Sequence, residues 1–454
     1  MKKTLIKSPA HNKVLEKLEA NGAVIAAHST GSGKTSLAWR AADKFGGNSL
    51  FVVPASLVSN MENAKQEFGF KSTPTVLSYE RASNQVEELA KKKWNLVVFD
   101  EAHRLRNTDT NKVKAMREVI AKADHVLLLT ATPKYHSHED VPNLISLATK
   151  DEVKPEIKMV KKEVIPPLFD RIFKGVKPSK IEELYISPQA KKDIKKYIHV
   201  YDAASTDKKD DFPEVLETQV KVPMSEGQEK LYRYYESQLP PTLKWKIKNN
   251  IPIDKRDAAK FTVFANSFRQ LSNGVQNFVR DPDKAEISPK IQVAVERLAE
   301  ASKNPNFKAI VYSNFLASGL EPYKKELAKT KLPFVEVTGE MSKKEKDTAL
   351  AAYNKGKAKV MLISSSGGEG LDAKGTRLLQ ILEPHFNDSK IKQVLGRASR
   401  YKSHTHLPET DRNVIIEHYL SAKKDGKTGV DEYLFNSSLL KKKHGEEILQ
   451  HADH

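Results

Sequence analysis

The stretch Ala23-Val24-Ile25-Ala26-Ala27-His28-Ser29-Thr30-Gly31-Ser32-Gly33-Lys34-Thr35 decides the fold class of this chain. The apolar run at its start predicts a buried strand, and the residues after Thr35 have the pattern of a helix. The loop between them contains Gly31 and Gly33, which let backbone amides turn towards phosphate oxygens at the positive end of a helix dipole. The stretch therefore predicts a phosphate-binding loop in an α/β domain.

Each position in this loop has an expected task. We expect Lys34 to reach the β- and γ-phosphates of ATP and Thr35 to hold Mg²⁺ through its hydroxyl group. The predicted nucleotide contacts are the whole loop: His28, Ser29, Thr30, Gly31, Ser32, Gly33, Lys34 and Thr35. The strict pattern of such loops has glycine where this chain has His28, so an ordinary glycine turn before a helix is the alternative.

Other apolar runs predict further strands along the chain. In the first region they are residues 49–54, 96–100 and 126–130, and in a second region they are residues 308–312, 334–337, 359–363 and 378–382. Continuous apolar runs are typical of parallel strands covered on both faces, and the segments between them are long enough for crossover helices. We predict two α/β domains and a basic, mostly helical connector: residues 1–150, 290–454 and 151–289, respectively.

The third apolar run ends in Asp100-Glu101-Ala102-His103. A carboxylate at the end of a parallel strand, beside a phosphate loop, is well placed for Mg²⁺, so Asp100 is the expected metal ligand. Glu101 is expected to orient and deprotonate the attacking water, and His103 to sense the γ-phosphate. The alternative is an acidic pair on the protein surface.

Three more segments could carry chemistry: the first ends a predicted strand, the second follows one and the third comes later in the chain. They are Thr130-Ala131-Thr132-Pro133, Ser364-Ser365-Ser366-Gly367-Gly368-Glu369-Gly370-Leu371-Asp372 and Gln393-Val394-Leu395-Gly396-Arg397-Ala398-Ser399-Arg400. Arg397 and Arg400 share a helix face, where two guanidinium groups can grip a phosphate and stabilise transition-state charge. Taken singly, the alternatives are a polar turn, a flexible loop and solvated arginines.

Together these segments resemble the motifs of superfamily 2 helicases and translocases. Motif I is similar to residues 30–35, motif II in its DEAH form to residues 100–103, motif III to residues 130–133, motif V to residues 366–372 and motif VI to residues 393–400. The resemblance implies two RecA-like P-loop NTPase lobes that bind ATP and Mg²⁺. It also implies that Arg397 and Arg400 act as arginine fingers from the second lobe.

The resemblance adds further site residues. Gly370 and Asp372 join the nucleotide contacts, and so does Asn12, which stands where the family has a glutamine that reads adenine. In the family, motifs Ia, III and V line the nucleic-acid track. The implied coupling and track residues are His103, Thr130, Thr132, Pro54, Ser56, Ser366, Gly367 and Gln393.

Finer resemblances point to one branch of the superfamily. Four segments are similar to segments of Swi/Snf-type remodellers: residues 52–58, 100–107, 225–232 and 383–387. In its small size, the chain resembles bacteriophage branch-migration and fork-remodelling helicases. The resemblance implies a DNA helicase or translocase that remodels forks or junctions in replication, recombination or repair. A duplex DNA translocase that displaces proteins is the alternative. An RNA helicase and an inactive DNA-binding scaffold fit these segments less well.

The composition limits the kinds of partner that the chain can bind. Among 454 residues, 76 Lys and Arg stand against 58 Asp and Glu, which gives a formal net charge of +18. This surplus suits a polyphosphate partner, so we expect branched or forked DNA, with a single strand in the track. The chain has no cysteine, which excludes a disulfide-linked partner. We expect no membrane span or signal peptide, a monomer, and a location in the cytoplasm, or in the host cytoplasm for a viral protein.

Overall fold

A computed structural model describes residues 8–29, 31–131, 137–167, 170–171, 178–202, 211–253, 255–281, 285–365, 373–384, 396, 399 and 402–454. Two compact units make up the chain. Unit 1 comprises Met1–Val160, Glu183–Lys209 and Lys441–His454, and unit 2 comprises Lys161–Glu182 and Asp210–Leu440. The connector predicted for residues 151–289 contributes to both units, and its boundaries stay a prediction.

The central strands of the two large sheets follow the buried apolar runs of the sequence, and further strands lie outside these runs. The strands are β1 Ala23–His28, β2 Ser49–Val53, β3 Thr75–Ser78, β4 Trp94–Asp100, β5 Ala123–Thr130, β6 Ile157–Val164, β7 Ser179–Ile186, β8 Ile198–Tyr201, β9 Glu214–Pro223, β10 Ala309–Ser313, β11 Phe334–Val337, β12 Val360–Ser364, β13 Leu378–Ile381 and β14 Asn413–Ala422. Strands β6 and β7 pair in a small sheet of their own.

The helices lie before, between and after these strands. They are α1 Pro9–Asn21, α2 Lys34–Phe45, α3 Val58–Phe68, α4 Tyr79–Asn84, α5 Val86–Lys91, α6 Asn111–Ile120, α7 Asp140–Ala148, α8 Pro188–Tyr197, α9 Glu226–Ser237, α10 Pro241–Lys248, α11 Lys255–Asn273, α12 Pro289–Ala301, α13 Glu321–Ala328, α14 Lys343–Asn354 and α15 Val430–Leu449. Within the described part of the chain, no helix has the length and apolar character needed to cross a membrane.

Unit 1 is built on a six-stranded sheet in the order β3-β2-β4-β5-β1-β8, in which every pair of neighbours is parallel. Successive side chains of a strand point to opposite faces, so Ile25 and Val24 enter different cores. Every residue of β1 and β2 is buried. The continuous apolar runs therefore reflect a sheet covered on both faces, as the sequence predicts.

Unit 2 repeats this plan with the order β11-β12-β10-β13-β14-β9, again with parallel neighbours. Ile310 and Val311 pack into separate cores on the two faces. A helical subdomain of α9, α10, α11 and the start of α15 packs around Tyr232, Phe268 and Tyr433. The predicted fold class, α/β with two RecA-like lobes, is confirmed.

Two edge strands lie in the region that the sequence predicts to be a mostly helical connector. Strand β8 pairs with β1 of unit 1, and β9 pairs with β14 of unit 2. The first six residues of β9 are exposed, so this strand lacks the apolar run that marks the central strands. Its pairing depends on a partner strand about 200 residues away, which no local pattern encodes.

Candidate nucleotide site

Three predicted motifs lie at one edge of the unit 1 sheet. Strand β5 lies between β1 and β4, with Thr130 opposite Ala27 and Leu129 opposite Asp100. The carboxyl ends of these parallel strands therefore coincide, and each leads into a motif. Ligands of open α/β sheets bind at this edge.

The phosphate loop depends on backbone conformations that favour glycine. Gly31 and Gly33 have φ angles of 80° and 84°. A side chain at these φ values would strain the backbone. Gly33 is the N-cap of α2, which begins at Lys34, so the amino end of this helix lies directly after the loop. The positive end of the helix dipole is thereby available to an anion.

Lys34 turns back into this loop. Its ammonium group donates hydrogen bonds to the carbonyl oxygens of His28 at 2.9 Å and Ser29 at 3.1 Å. Its positive charge also opposes the rise in the pKa of Asp100 described below. The loop and the end of β4 therefore belong to one electrostatic site.

Asp100 is the buried last residue of β4, with 6% of its surface exposed. Its side-chain Oδ1 accepts a hydrogen bond from the backbone amide of Glu101 at 2.9 Å, while its own carbonyl oxygen accepts one from the hydroxyl group of Tyr79 at 2.8 Å. Burial, followed by the nearby charge of Glu101, raises the pKa of Asp100 to about 6. Both causes disfavour the charged carboxylate, and a bound cation would favour it.

Glu101 adopts a left-handed backbone conformation, with a φ angle of 52°. It precedes the short helix Ala102–Leu105 and turns its carboxylate towards His103, with 3.3 Å between Oε2 and Nδ1. The same Nδ1 atom lies 3.4 Å from the Oγ1 of Thr130, at the end of β5. Side chains of the second and third motifs are thus in contact.

The donor set at this edge suits Mg²⁺. The ion binds proteins through one or two oxygen ligands and completes its octahedron with phosphate oxygens and water. Asp100 offers a buried carboxylate and Thr35 a hydroxyl group at the start of α2. Within the described ranges, no cluster of three or more His, Cys, Asp or Glu side chains could hold a metal. An ion held by Asp100 and Thr35 would also bind phosphate oxygens of a nucleotide and neutralise charge on them.

The other predicted residues fall into two groups. Pro54 is buried and Ser56 is exposed just beyond β2, at the same edge of the sheet. Asn12 is exposed on α1, and its Oδ1 accepts a hydrogen bond from the Nη2 of Arg40 at 2.5 Å. The residues that lie outside the described part are Thr30, Thr132, Ser366, Gly367, Gly370, Asp372, Gln393, Arg397 and Arg400. All these site assignments stay predictions.

Sequence reasoning misses several residues that shape this site. His11 contacts the phosphate loop, His199 contacts His28, and Tyr79 holds the carbonyl group of Asp100. One signal could have found His11: it stands next to Asn12, in the segment before the phosphate loop for which we predict a nucleotide contact. No signal marks His199, which joins the site from an edge strand far along the chain.

Unit 2 has a buried polar centre at the corresponding edge of its sheet. Glu383, which is fully buried, follows β13 and accepts hydrogen bonds from the backbone amide of Asn314 at 2.5 Å and from the amide nitrogen of the Asn273 side chain at 2.7 Å. The hydroxyl group of Ser313 donates to the same carboxylate. This centre fixes the ends of β10 and β13 to α11.

Two family models match the chain. A model of the SNF2-related domain matches residues 53–277, and a model of the helicase conserved C-terminal domain matches residues 289–402. The first match contains motif II and the second contains the segments similar to motifs V and VI.

Individual proteins are also similar. A protein of Acanthamoeba polyphaga mimivirus, named as an ATP-dependent RNA helicase, is 29% identical over 442 residues, which cover 94% of this chain and 92% of the relative. Nucleoside triphosphatase I of Heliothis armigera entomopoxvirus is 24% identical over 400 residues, which cover 77% of this chain and 59% of the relative. The crystal structure of the Pyrococcus furiosus Hef helicase domain has a TM-score of 0.52 at 17% identity, with 94% of this chain and 97% of that chain covered. The last similarity concerns the fold.

Proposed function

Because the chain belongs to the Swi/Snf-type helicases of superfamily 2, whose SNF2-related and C-terminal helicase domains it carries, we propose that it moves along DNA and remodels forks and branched junctions. Membership makes it an ATP-hydrolysing enzyme of the helicase and translocase class. The DNA substrate and the remodelling of forks are our proposal.

One observation carries the ATP-driven part of this proposal: the sheet edge of unit 1 brings together a cation, two carboxylates and a side-chain contact with a third motif. Lys34 extends into the phosphate loop, and Asp100 and Glu101 lie at the carboxyl end of β4. Asp100 and Thr35 hold Mg²⁺ in this proposal. Glu101 takes the proton of the attacking water while Lys34 stabilises charge on the transferred phosphoryl group.

The link to movement is the contact of Glu101, His103 and Thr130. When Glu101 receives a proton it loses its negative charge, and its attraction for His103 weakens. His103 also touches Thr130, which is the last residue of β5 and the first of the segment similar to motif III. A change at the reacting group therefore reaches a segment that we assign to the nucleic-acid track.

The preference for DNA rests on the SNF2-related match and on the Swi/Snf-like segments around it. A motor must pass over any sequence, so its strand contacts go to phosphates, which the surplus of positive charge favours. A duplex translocase that displaces proteins without separating strands is the alternative within this proposal. The name of the mimivirus relative favours a second candidate, an RNA helicase.

The proposal also covers the oligomeric state, the location and the pathway of the protein. We place the protein as a monomer in the cytoplasm, or in the host cytoplasm if it is viral, and in DNA replication, recombination or repair. A bacteriophage branch-migration helicase is the finer match that its size suggests. In this account His103 and Thr130 couple the nucleotide site to the track, and the track residues contact DNA.

The test compares ATP hydrolysis on five polymers: single-stranded DNA, blunt duplex, a fork, a four-way junction and RNA of the same sequence. We expect the fork and the junction to stimulate hydrolysis most and to be unwound. Stimulation by blunt duplex without unwinding supports the duplex translocase instead. Stimulation by RNA alone contradicts the DNA proposal and establishes the second candidate.

A further inference from the structure

Three histidine side chains form a buried layer against the phosphate loop. His11, His28 and His199 are each at most 2% exposed. They come from α1, the end of β1 and edge strand β8. The mechanism described above uses none of their rings.

His28 and His199 are bound to each other. The Nε2 atom of His28 lies 2.9 Å from the Nδ1 atom of His199, so one ring donates a hydrogen bond to the other. Burial lowers the pKa of His28 to about 2 and that of His199 to about 4. Both rings are therefore neutral near pH 7, and His28 adds no positive charge beside Lys34.

His11 holds the other end of the loop. Its ring Nε2–H group donates a hydrogen bond to the carbonyl oxygen of Ser32 at 3.0 Å. Its ring stacks on that of His28, with 6.1 Å between centroids and 12° between planes. A Cβ atom on Gly33 would lie 3.2 Å from the His11 ring, so the glycine lets the layer approach the loop closely.

Strand β8 supports the layer from outside. The backbone amide of Ser29 donates to the carbonyl oxygen of Tyr201 at 2.9 Å. On its other side, β8 exchanges hydrogen bonds with Asp453: Val200 donates to the Asp453 carbonyl at 2.7 Å, and the Asp453 amide donates to Ile198 at 3.1 Å. His199 is therefore fixed on both sides.

The two carbonyl groups that accept hydrogen bonds from Lys34 belong to His28 and Ser29. The first residue is fixed by its ring and the second by its backbone amide. A rotation of either peptide would move the position at which the ammonium group is held.

We propose that His28 and His199 are positioning residues that set the orientation of the phosphate loop and, through it, the place of the Lys34 ammonium group in nucleotide binding. This inference rests on the proposed role of the phosphate loop. It assigns a task to His28, the residue that stands where strict phosphate loops have glycine.

The test measures KM and kcat for ATP, and the Kd of a non-hydrolysable ATP analogue, with duplex DNA present. We expect H28A and H199A each to raise KM and Kd about tenfold and to lower kcat as well, because a displaced Lys34 also stabilises the transferred phosphoryl group less well. H28Q should recover most of the affinity, because its amide nitrogen can reach His199 much as the imidazole Nε2 does. The double variant H28A/H199A should bind no more weakly than the weaker single variant, because both changes break one contact.

The control is H125A in the same unit. His125 is half-buried near the start of β5, where its ring packs on Phe45 and contacts the carbonyl oxygen of Asn95 at 3.1 Å. Its loss tests for a general effect of removing a histidine, and melting curves of all variants identify any that fail to fold. H28Q and H199A then carry the test if H28A is unfolded.

Unchanged KM and Kd in H199A overturn the inference, and so does an H28Q variant that binds as weakly as H28A. Fully additive effects in the double variant also contradict it. If the proposed nucleotide site itself is wrong, the result differs, because K34A would then keep its ATP turnover. If K34A is inactive and the histidine variants bind normally, the loop assignment survives and the positioning role does not.

Discussion

The ammonium group of Lys34 donates a hydrogen bond to the backbone carbonyl oxygen of His28 over 2.9 Å. The last residue of β1 and the first residue of α2 are thus joined across the phosphate loop. The loop places its cation beside the end of β4, where Asp100 and Glu101 lie.

Replacing this cation should separate hydrolysis from DNA binding. We expect K34A to lower DNA-stimulated ATP hydrolysis by about 100- to 1000-fold, as for other groups that stabilise transition-state charge. Duplex affinity should change less than about twofold. K44A is the matched control, because Lys44 lies in the same helix and forms an exposed ion pair with Glu19. A K34A enzyme that keeps more than a tenth of the wild-type rate would refute the site.

Glu383 should stabilise the fold of unit 2 more than a surface carboxylate does. Its removal in E383A leaves the amide of Asn314 and the side chains of Ser313 and Asn273 without a buried acceptor, and we expect each unsatisfied group to cost about 1–3 kcal/mol. In E336A, the loss of the partly exposed ion pair with Lys324 should cost less than about 1 kcal/mol. Hydrogen exchange of β10 and β13 measures both effects. Equal changes in the two variants would contradict this, because the buried centre would then add no more stability than the surface ion pair.

A buried histidine of unit 2 predicts acid sensitivity. Burial lowers the pKa of His404 to about 4, although its hydrogen bond to the carbonyl oxygen of Thr376 opposes this shift. The folded protein then binds fewer protons than the unfolded chain between about pH 4 and 6.5. The stabilising contribution is complete above pH 6.5 and is lost as the pH falls towards 4.

The variant H404Q lacks this titrating group. We expect wild type to melt above H404Q at pH 7 and the difference between their melting temperatures to shrink as the pH falls to 4.5. Scanning calorimetry at several pH values gives this difference directly. A constant or widening gap would contradict the lowered pKa.

The central architecture follows from the sequence for a physical reason. Strands such as β1 and β4 are buried on both faces, so almost every position must be apolar, and the run is visible locally. The motifs at the ends of these strands predict one shared site, because parallel strands bring their carboxyl ends to the same edge of the sheet. The predictions of two α/β lobes and of an ATP-hydrolysing enzyme are confirmed.

The rest of the site depends on contacts between distant segments. His28 and His199 are 171 positions apart, and β8 is a four-residue strand with a polar residue inside it. Nothing in either local pattern predicts that one ring binds the other. The same holds for Glu383, whose donors come from two separate segments, one at Asn273 and one at Ser313 and Asn314.

The net charge of +18 predicts a steep dependence of DNA binding on salt. Contacts to phosphates release counterions, so about five such contacts should lower duplex affinity by 100-fold or more between 50 and 200 mM KCl. Fluorescence anisotropy with two unrelated duplex sequences measures the slope, which should be the same for both. A flat salt response would assign the surplus charge to the general surface of the protein.

The central claim is that hydrolysis at the unit 1 edge drives movement along DNA, and Glu101 tests it most directly. The measurement is ATP-dependent release of a third strand from the far end of a triplex-bearing duplex. Wild type should release the strand, whereas E101Q should bind ATP and duplex normally yet release none, because the amide cannot accept the proton of the attacking water. Release by E101Q at the wild-type rate, or hydrolysis by wild type on this duplex without any release, would contradict the account.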